Sequence, residues 1–194
     1  ANHQSTFWIT YDDNNLYIAH HSPPPPSIKG LPAMIEVMLR KTQTLHDANI
    51  DQDDCIVIEI MSPVYPKGDN YIIQVNSIGT TFECIWGGSK GKMPGITLGW
   101  DPPVINASRL TLDGWVIEVA IPWSGLAPYI NKPKEGDILY MNFGRIWREV
   151  MDEPHAWQGY DGFRPKGEVA FRGSQGIVVQ MKDTGNLPRG EAAF

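Results

Sequence analysis

Hydrophobic and polar residues alternate along several short stretches of the chain. The clearest stretch lies between Trp115 and Pro122, where every second residue is large and apolar, and the isoleucines before Met61 follow the same pattern. Because successive side chains of a strand point to opposite faces of a sheet, a period of two predicts β-strands with one buried face. This argument predicts strands over residues 7–11, 16–21, 51–61, 71–77, 80–86, 115–123, 138–148, 168–171 and 176–180.

Glycine and proline, with 19 and 16 copies, are spread along the chain and favour turns over long helices. Residues 12–15 are predicted as a hairpin turn and residues 87–99 as a loop, while residues 32–40 fit either a short helix or a strand, with alternation favouring the strand. About ten short strands separated by turns predict two packed antiparallel sheets, an all-β sandwich of the jelly-roll or immunoglobulin-like type. We expect a single domain over residues 1–194, with a core at about residues 5–181 and a C-terminal tail at 182–194.

The charge of the chain excludes some classes of partner. Sixteen Lys and Arg stand against 22 Asp and Glu, which gives a formal charge of −6. An acidic chain offers no basic surface for a polyanion, so neither a nucleic acid nor an anionic membrane is an expected partner. No apolar run approaches the roughly 20 residues that span a bilayer. The first residue, Ala1, is followed by no signal-peptide pattern, as expected of a mature or excised piece.

Tryptophan is the compositional signal, with seven copies beside seven tyrosines. An indole has an apolar face on which the C–H groups of a sugar ring can pack, and the sugar hydroxyls then need planar polar side chains nearby. Trp115 and Trp8 alternate with apolar neighbours and are interpreted as core residues, and Trp123 is interpreted as closing the rim of the sandwich. The candidate sugar-binding residues are Trp157, Trp86 and Trp100, with Arg148, Gln74, Asn76 and Glu118 as polar partners.

Five segments carry more specific patterns, in this order: Asp12–Ala19 (DDNNLYIA), Asp51–Ile58 (DQDDCIVI), Gly114–Trp123 (GWVIEVAIPW), Leu139–Arg145 (LYMNFGR), and Trp157 followed by Gly162–Pro165 and Gly167–Phe171. Together they cover about residues 7–172 and resemble the family 9 carbohydrate-binding modules and their DOMON-like relatives. The third segment matches the family pattern almost residue by residue. The order of the five segments is more specific than any one of them.

The resemblance implies a β-sandwich without catalytic activity that binds a poly- or oligosaccharide. It also implies attachment to a secreted polysaccharide-degrading enzyme, and hence an extracellular, cell-surface or periplasmic location, in a bacterium. Arg145 matches the arginine of the family motif, either as a sugar ligand or as a structural group that satisfies backbone carbonyls. In the sugar-binding members a clamp tryptophan and an arginine stand where this chain has Ile50 and Gln74.

Calcium is the one cofactor that we expect, because the resembling family often carries it and because clustered carboxylates supply the oxygen ligands that it prefers. The candidate groups are Asp12, Asp13 and Asn15 in the first turn, and Asp51, Asp53 and Asp54 before the third strand. Neither group has EF-hand spacing, and a solvated turn and a strand start are the alternative interpretations. No organic cofactor is expected. The two cysteines, Cys55 and Cys84, are compatible with one disulfide or with two buried thiols.

Two other function classes remain as alternatives. Glu59 and Glu118 could act as the paired carboxylates of a glycan-active enzyme, although no nucleophile or oriented base accompanies them. His20 and His21 are successive strand residues that face opposite sides of a sheet, so they cannot chelate one metal together. Some DOMON domains bind haem through Met and His ligands, for which the candidates are Met61, Met93, Met141, Met151, His20 and His155. Met141 lies on the apolar face of its strand, as is typical of core packing, and His46 and His155 are interpreted as solvated loop histidines.

Overall fold

A computed structural model describes residues 5–23, 41–61, 70–87, 95–128, 130–134, 137–146, 167–170 and 177–181. The strands are β1 (Ser5–Tyr11), β2 (Asn15–Ser22), β3 (Cys55–Met61), β4 (Asn70–Asn76), β5 (Thr81–Gly87), β6 (Gly95–Thr97), β7 (Ile105–Thr111), β8 (Gly114–Pro122), β9 (Ile138–Ile146), β10 (Gly167–Ala170) and β11 (Ile177–Met181). A 3₁₀ turn, Ile50–Gln52, precedes β3, and a four-residue helix, α1 (Trp123–Leu126), follows β8. None of the helices in these residues is long and apolar enough to cross a membrane.

The strands form two antiparallel sheets that pack face to face. The five-stranded sheet has the order β11-β1-β2-β8-β7, and the six-stranded sheet has the order β10-β9-β3-β4-β5-β6. β1 pairs with β11, so the first and last described strands are neighbours in the same sheet. The predicted all-β sandwich of two antiparallel sheets is therefore confirmed.

The core lies between the inner faces of the two sheets, because the period-two pattern of each strand puts its large apolar residues on one side. Phe7 from the five-stranded sheet meets Phe143 from the six-stranded sheet, with ring centroids 4.7 Å apart. Trp115 is buried as predicted, and its indole donates a hydrogen bond to the hydroxyl of Ser108. The core residues are Phe7, Ile9, Leu16, Ile18, Ile56, Ile58, Ile60, Tyr71, Ile73, Val75, Trp115, Ile117, Val119, Ile121, Trp123, Leu126, Ile130, Leu139, Met141 and Phe143.

The hairpin between β1 and β2 is built by its own acidic turn. The backbone N–H of Asp12 donates to the carbonyl of Asn15, and the Asp12 carboxylate accepts the backbone N–H groups of Asn14 and Asn15 at 2.7 and 2.8 Å. Aspartate side chains that bond the backbone two residues on are a common way to close a turn. The Trp123 indole donates to the Asp12 carbonyl at 3.1 Å, which closes the rim of the sandwich as predicted.

The strands differ from the sequence-based prediction at three places. Strand β7 was not predicted, because Asn106, Ser108 and Arg109 interrupt its apolar pattern and its position at a sheet edge leaves Ile105 in solvent. Strand β6 lies within the predicted loop at residues 87–99. The predicted strand at residues 51–61 begins only at Cys55, after the 3₁₀ turn. The uncertain segment at residues 32–40 lies outside the described residues.

Candidate functional site

The outer face of the six-stranded sheet combines aromatic and polar side chains in neighbouring rows. In one row Tyr140, Met61, Asn70, Trp86 and Ile96 are direct cross-strand neighbours from β9 to β6. Side chains directly opposite each other in antiparallel strands lie about 5 Å apart at their Cβ atoms, so each of these residues is a direct neighbour of the next. The partly buried indole of Trp86 therefore lies beside the amide of Asn70.

Glu59 and Asn142 form the next row of the same face. The Asn142 amide donates to Oε2 of Glu59 at 3.0 Å. Burial raises the pKa of Glu59, and the hydrogen bond from Asn142 opposes that rise. Asn70 lies close enough to lower the pKa of Glu59 as well, yet neither amide atom of Asn70 makes a hydrogen bond of standard geometry. The Asn70 side chain is 1% exposed and lies next to the Glu59 carboxyl.

An apolar cluster supports the aromatic residues on this face. Its buried members are Cys55, Val57, Ile72, Cys84 and Ile146, against which Phe82 and Trp86 pack. The two cysteines are not bridged, so the question that the sequence left open is answered in favour of separate buried thiols. Burial raises the pKa of the Cys84 thiol to about 11, which keeps it protonated and unreactive at neutral pH.

The sequence-predicted sugar ligands on this sheet have different environments. Gln74 lies on the same outer face as Trp86 and is partly exposed. Asn76 is buried: its amide nitrogen donates to the Gln43 carbonyl and to Asp53, and its amide oxygen accepts the backbone N–H groups of Ile78 and Thr80. Asn76 thus has a structural role in the turn after β4. Trp157 and Arg148 lie outside the described residues.

Trp100 and Arg145 are also placed by the packing of the sandwich. Trp100 packs edge-on against Tyr71 with ring centroids 4.9 Å apart, and its indole donates to the carbonyl of Gly125 at 2.8 Å. It anchors the segment before β7 to the core. Arg145 is opposite Ile56, on the inner side of β9, is buried, and approaches the hydroxyl of Ser5 at 3.4 Å. This position fits the structural alternative for the motif arginine.

The outer face of the five-stranded sheet carries Glu118 and Trp8. Their row runs from Trp8 through Ala19 and Glu118 to Ala107. The prediction that Trp8 belongs to the core is wrong, because its side chain is 41% exposed while Phe7 and Ile9 on either side point inward. The candidate sugar-binding residues are thus divided between opposite sides of the sandwich.

The acidic groups considered for calcium already have partners within the protein. Asp12 accepts the two backbone N–H groups of its turn and the Tyr17 hydroxyl, and Asp13 forms an ion pair with Lys132. The side-chain amide of Asn15 donates to the same Tyr17 hydroxyl at 3.1 Å. These contacts explain the first group as a hairpin turn, and calcium binding there stays a prediction.

Asp53 is fully buried before β3. One of its oxygens accepts the backbone N–H and the hydroxyl of Thr42, and the other accepts the Gln43 N–H and the Asn76 amide. A carboxylate has about four acceptor positions, so these four donors occupy all of them. The contacts give Asp53 a structural role that accounts for its burial without a cation.

The geometry disfavours the paired-carboxylate alternative. Glu59 lies on the outer face of the six-stranded sheet, and Glu118 lies on the outer face of the five-stranded sheet. Packed sheets are about 10 Å apart and both side chains point away from the core, whereas a glycosidase pair is separated by about 5 to 9.5 Å. Of the haem candidates, Met141 is buried in the core as predicted, and His20 packs against Phe7 with ring centroids 4.4 Å apart.

One group of chemically active side chains was missed by the sequence analysis. His46, Glu83 and Asp101 bring one potential ligand atom each to within 4.8 Å of one another. His46 was interpreted as a solvated loop histidine because nothing near it in sequence suggested a partner. The sequence feature that could have revealed this group is Glu83, which occupies an inward position on β5 between Thr81 and Ile85. A charged residue is unusual at such a position.

Comparison with known proteins supports the fold. No family model matches the chain, and no curated protein matches it. Among solved structures, a candidate carbohydrate-binding protein from Bacteroides uniformis ATCC 8492 matches 83% of this chain and 72% of its own, with a TM-score of 0.56 and 16% identity. A family 9 carbohydrate-binding module from Caldicellulosiruptor kristjanssonii, solved in complex with cellotriose, matches 75% of this chain and 59% of its own, with a TM-score of 0.50 and 17% identity. The predicted structural resemblance to family 9 modules is therefore confirmed.

Proposed function

We propose that this chain is a non-catalytic module that binds a poly- or oligosaccharide on the outer face of its six-stranded sheet, around Trp86. Stacking on an indole and hydrogen bonds from planar polar groups are the two interactions that a sugar ring needs. Trp86, Asn70 and the Glu59–Asn142 pair supply both kinds of group in adjacent rows. The fold shared with carbohydrate-binding proteins supports this assignment.

The observation that carries the proposal is the partly exposed indole of Trp86 on the outer face of the six-stranded sheet, which also carries the partly exposed amides of Gln74 and Asn142. An indole that keeps part of its surface accessible can pack on a sugar ring. A side-chain amide can both donate to and accept from sugar hydroxyls.

The charges on this face favour a neutral sugar. On strands β3, β4, β5, β6 and β9 the described residues that point outward include no Lys or Arg, and the one carboxyl among them is that of Glu59. A sulfated or uronate-rich chain would find no positive partner there.

A module of this kind would act by raising the effective concentration of an attached enzyme at its substrate. We include this targeting role in the proposal, with a secreted or cell-surface protein as the larger context. The haem alternative makes a different prediction, since a haem-loaded protein would show a Soret band in its visible spectrum.

The test is a binding screen against neutral and anionic polysaccharides, followed by calorimetry on Trp86→Ala. Trp8→Ala is the matched control, because it removes an accessible tryptophan from the opposite face. Aromatic anchors in binding sites contribute at least about 2 kcal/mol, so we expect Trp86→Ala to weaken binding by about 30-fold or more and Trp8→Ala to change it little. Circular dichroism checks that the packing of Trp86 on its apolar cluster is not required for folding.

The results that would contradict the proposal are specific. Loss of binding in Trp8→Ala with retention in Trp86→Ala would move the site to the five-stranded sheet. Absence of binding to every neutral glycan by the folded wild-type chain would reject carbohydrate recognition by this face.

A further inference from the structure

The ring of His46 lies between carboxylates at one end of the six-stranded sheet. Its Nδ1 atom is 3.7 Å from Oε2 of Glu83, and its Nε2 atom is 3.2 Å from Oδ1 of Asp101. A third carboxylate, that of Asp47, lies 3.7 Å from Nε2. This group is separate from the outer face proposed to bind sugar, because Glu83 points toward the inner side of β5.

Glu83 is the residue that demands an explanation. Its side chain is 1% exposed, and neither carboxylate oxygen makes a hydrogen bond of standard geometry, although the Thr81 hydroxyl lies close enough to lower its pKa. The hydroxyl of Thr81, the nearest candidate donor, instead contacts Nδ1 of His46 at 3.0 Å. Burial raises the pKa of Glu83 to about 7, with smaller opposing effects from Thr81 and His46. A buried carboxyl directed at an imidazole without a hydrogen bond is costly unless something else occupies the site.

Three separate segments hold these side chains in place. The loop that carries His46 is tied to β5 by a backbone hydrogen bond from Asp47 to Thr81 at 3.1 Å. Glu83 follows two residues later on that strand. Asp101 directly follows Trp100, whose indole is fixed by Tyr71 and by the carbonyl of Gly125. The ligand atoms are therefore presented by anchored backbone on all three sides.

The electrostatics of the group favour a cation. The carboxyl groups of Asp47, Glu83 and Asp101 surround one imidazole, and in the part of the chain that the structure describes no Lys or Arg forms an ion pair with any of them. When Glu83 is ionised, a protonated His46 would balance only one of the three carboxylates. A bound dication would neutralise the group more completely.

We propose that His46, Glu83 and Asp101 form a Zn²⁺ site, with water completing the coordination. One imidazole nitrogen and two carboxylates are typical zinc ligands, whereas Ca²⁺ and Mg²⁺ prefer sites made of oxygen atoms alone. Tetrahedral zinc bonds of about 2.1 Å place ligand atoms about 3.4 Å apart, so atoms already within 4.8 Å of one another need to close by at most about 1.4 Å.

Both ring nitrogens of His46 have polar neighbours, and they face different carboxylates. Nδ1 lies 3.0 Å from the Thr81 hydroxyl and 3.7 Å from Oε2 of Glu83, whereas Nε2 lies 3.2 Å from Oδ1 of Asp101. A bound ion would replace the contacts of one nitrogen, and the nitrogen that stays hydrogen-bonded would orient the ring. The ion would join the 45–48 loop, β5 and the segment before β7, and would stabilise the end of the sandwich in proportion to its occupancy.

The test is calorimetric titration of the chelator-treated chain with Zn²⁺, in parallel with Ca²⁺ and Mg²⁺. We expect one Zn²⁺ per chain, no comparable binding of the other two ions, and affinity at least about tenfold lower in both Glu83→Gln and His46→Gln. Glu83→Gln keeps the side-chain volume and removes a buried acid, so the variant should fold. His21→Gln, which removes a histidine from the opposite sheet, is the control and should bind Zn²⁺ like the wild type.

A second readout is the visible spectrum of the Co²⁺-loaded chain, in which a tetrahedral site gives d–d bands that both ligand variants should lose. The proposal is overturned if the wild type does not bind Zn²⁺, or if both ligand variants bind it as the wild type does. Equal binding of Ca²⁺ that is also lost in Glu83→Gln would overturn the assignment to zinc.

Discussion

Replacing Asp53 by alanine tests whether this carboxylate organises the protein as a hydrogen-bond acceptor. The Asp53 oxygens accept four hydrogen bonds, three from Thr42 and Gln43 and one from the Asn76 amide, and the side chain is completely buried. These bonds tie the segment before the 45–48 loop to the end of β4. Alanine would leave all four donors without this acceptor.

The magnitude follows from what each donor can do afterwards. Hydrogen bonds to charged groups contribute about 1.5 to 3 kcal/mol each, so simple addition would give about 6 to 12 kcal/mol. The donors of Thr42 and Gln43 are only partly buried and can turn to water, and the Asn76 amide keeps its bond to the Gln43 carbonyl at 2.8 Å. We therefore expect a loss of about 3 to 5 kcal/mol in the free energy of unfolding, a large share of the stability of a typical domain.

Urea denaturation of wild type, Asp53→Ala and Asp13→Ala, each with and without a calcium chelator, measures this loss. Asp13 is an exposed acid whose ion pair with Lys132 should matter little, so its variant controls for the removal of a negative charge. A loss below about 1 kcal/mol would refute the hydrogen-bond argument. A loss that appears only when calcium is present would show instead that Asp53 acts as a calcium ligand.

Two further predictions concern the core. Burial, then the charges of Arg145 and His21, hold the pKa of His20 well below its usual 6.5, so the folded protein keeps His20 neutral while the unfolded chain protonates it. The free energy of unfolding should stay level above about pH 6.5 and decrease as the pH falls below 6.5. Between pH 7 and pH 5 the wild type should lose about 2 kcal/mol more than His20→Leu. Equal pH profiles of the two proteins in urea denaturation would contradict this. Trp115→Ala should cost about 3 to 5 kcal/mol and Trp8→Ala less than about 1 kcal/mol, and similar unfolding midpoints for the two variants would contradict their assigned positions.

The fold could be predicted from the sequence where alternation was strong. Strand β8 alternates between buried and less buried positions, and strand β3 is apolar at nearly every position. Both are interior strands of their sheets, with a neighbour on each side. Strand β7 escaped prediction because an edge strand pairs on one side only and can keep Ile105 in solvent. The alternation of apolar and polar residues arises because one face of a strand is buried, so it does not predict a strand whose faces are both partly exposed.

The outward position of Trp8 could have been predicted from the same alternation of faces along a strand. Phe7 and Ile9 are both apolar and two residues apart, so they share a face, and Trp8 must point to the other side. The core interpretation was based on its alternation with apolar neighbours, which does not by itself show which of the two faces is buried. For a tryptophan in a β-sandwich, the pattern of the residues on either side predicts burial better than the hydrophobicity of the tryptophan itself.

Sequence proximity is a poor guide to cation sites in a β-sandwich, and the acidic groups of this chain show why. Acids in one tight turn, such as Asp12, are used to bond the backbone of that turn. Neighbouring acids along a strand point to opposite faces. A ligand set that converges must therefore come from different segments, as His46, Glu83 and Asp101 do, and no pattern along the chain links them. The feature that a sequence can reveal is the single misplaced charge, a glutamate at an inward position of a strand, because burying it is costly unless the fold brings it a partner.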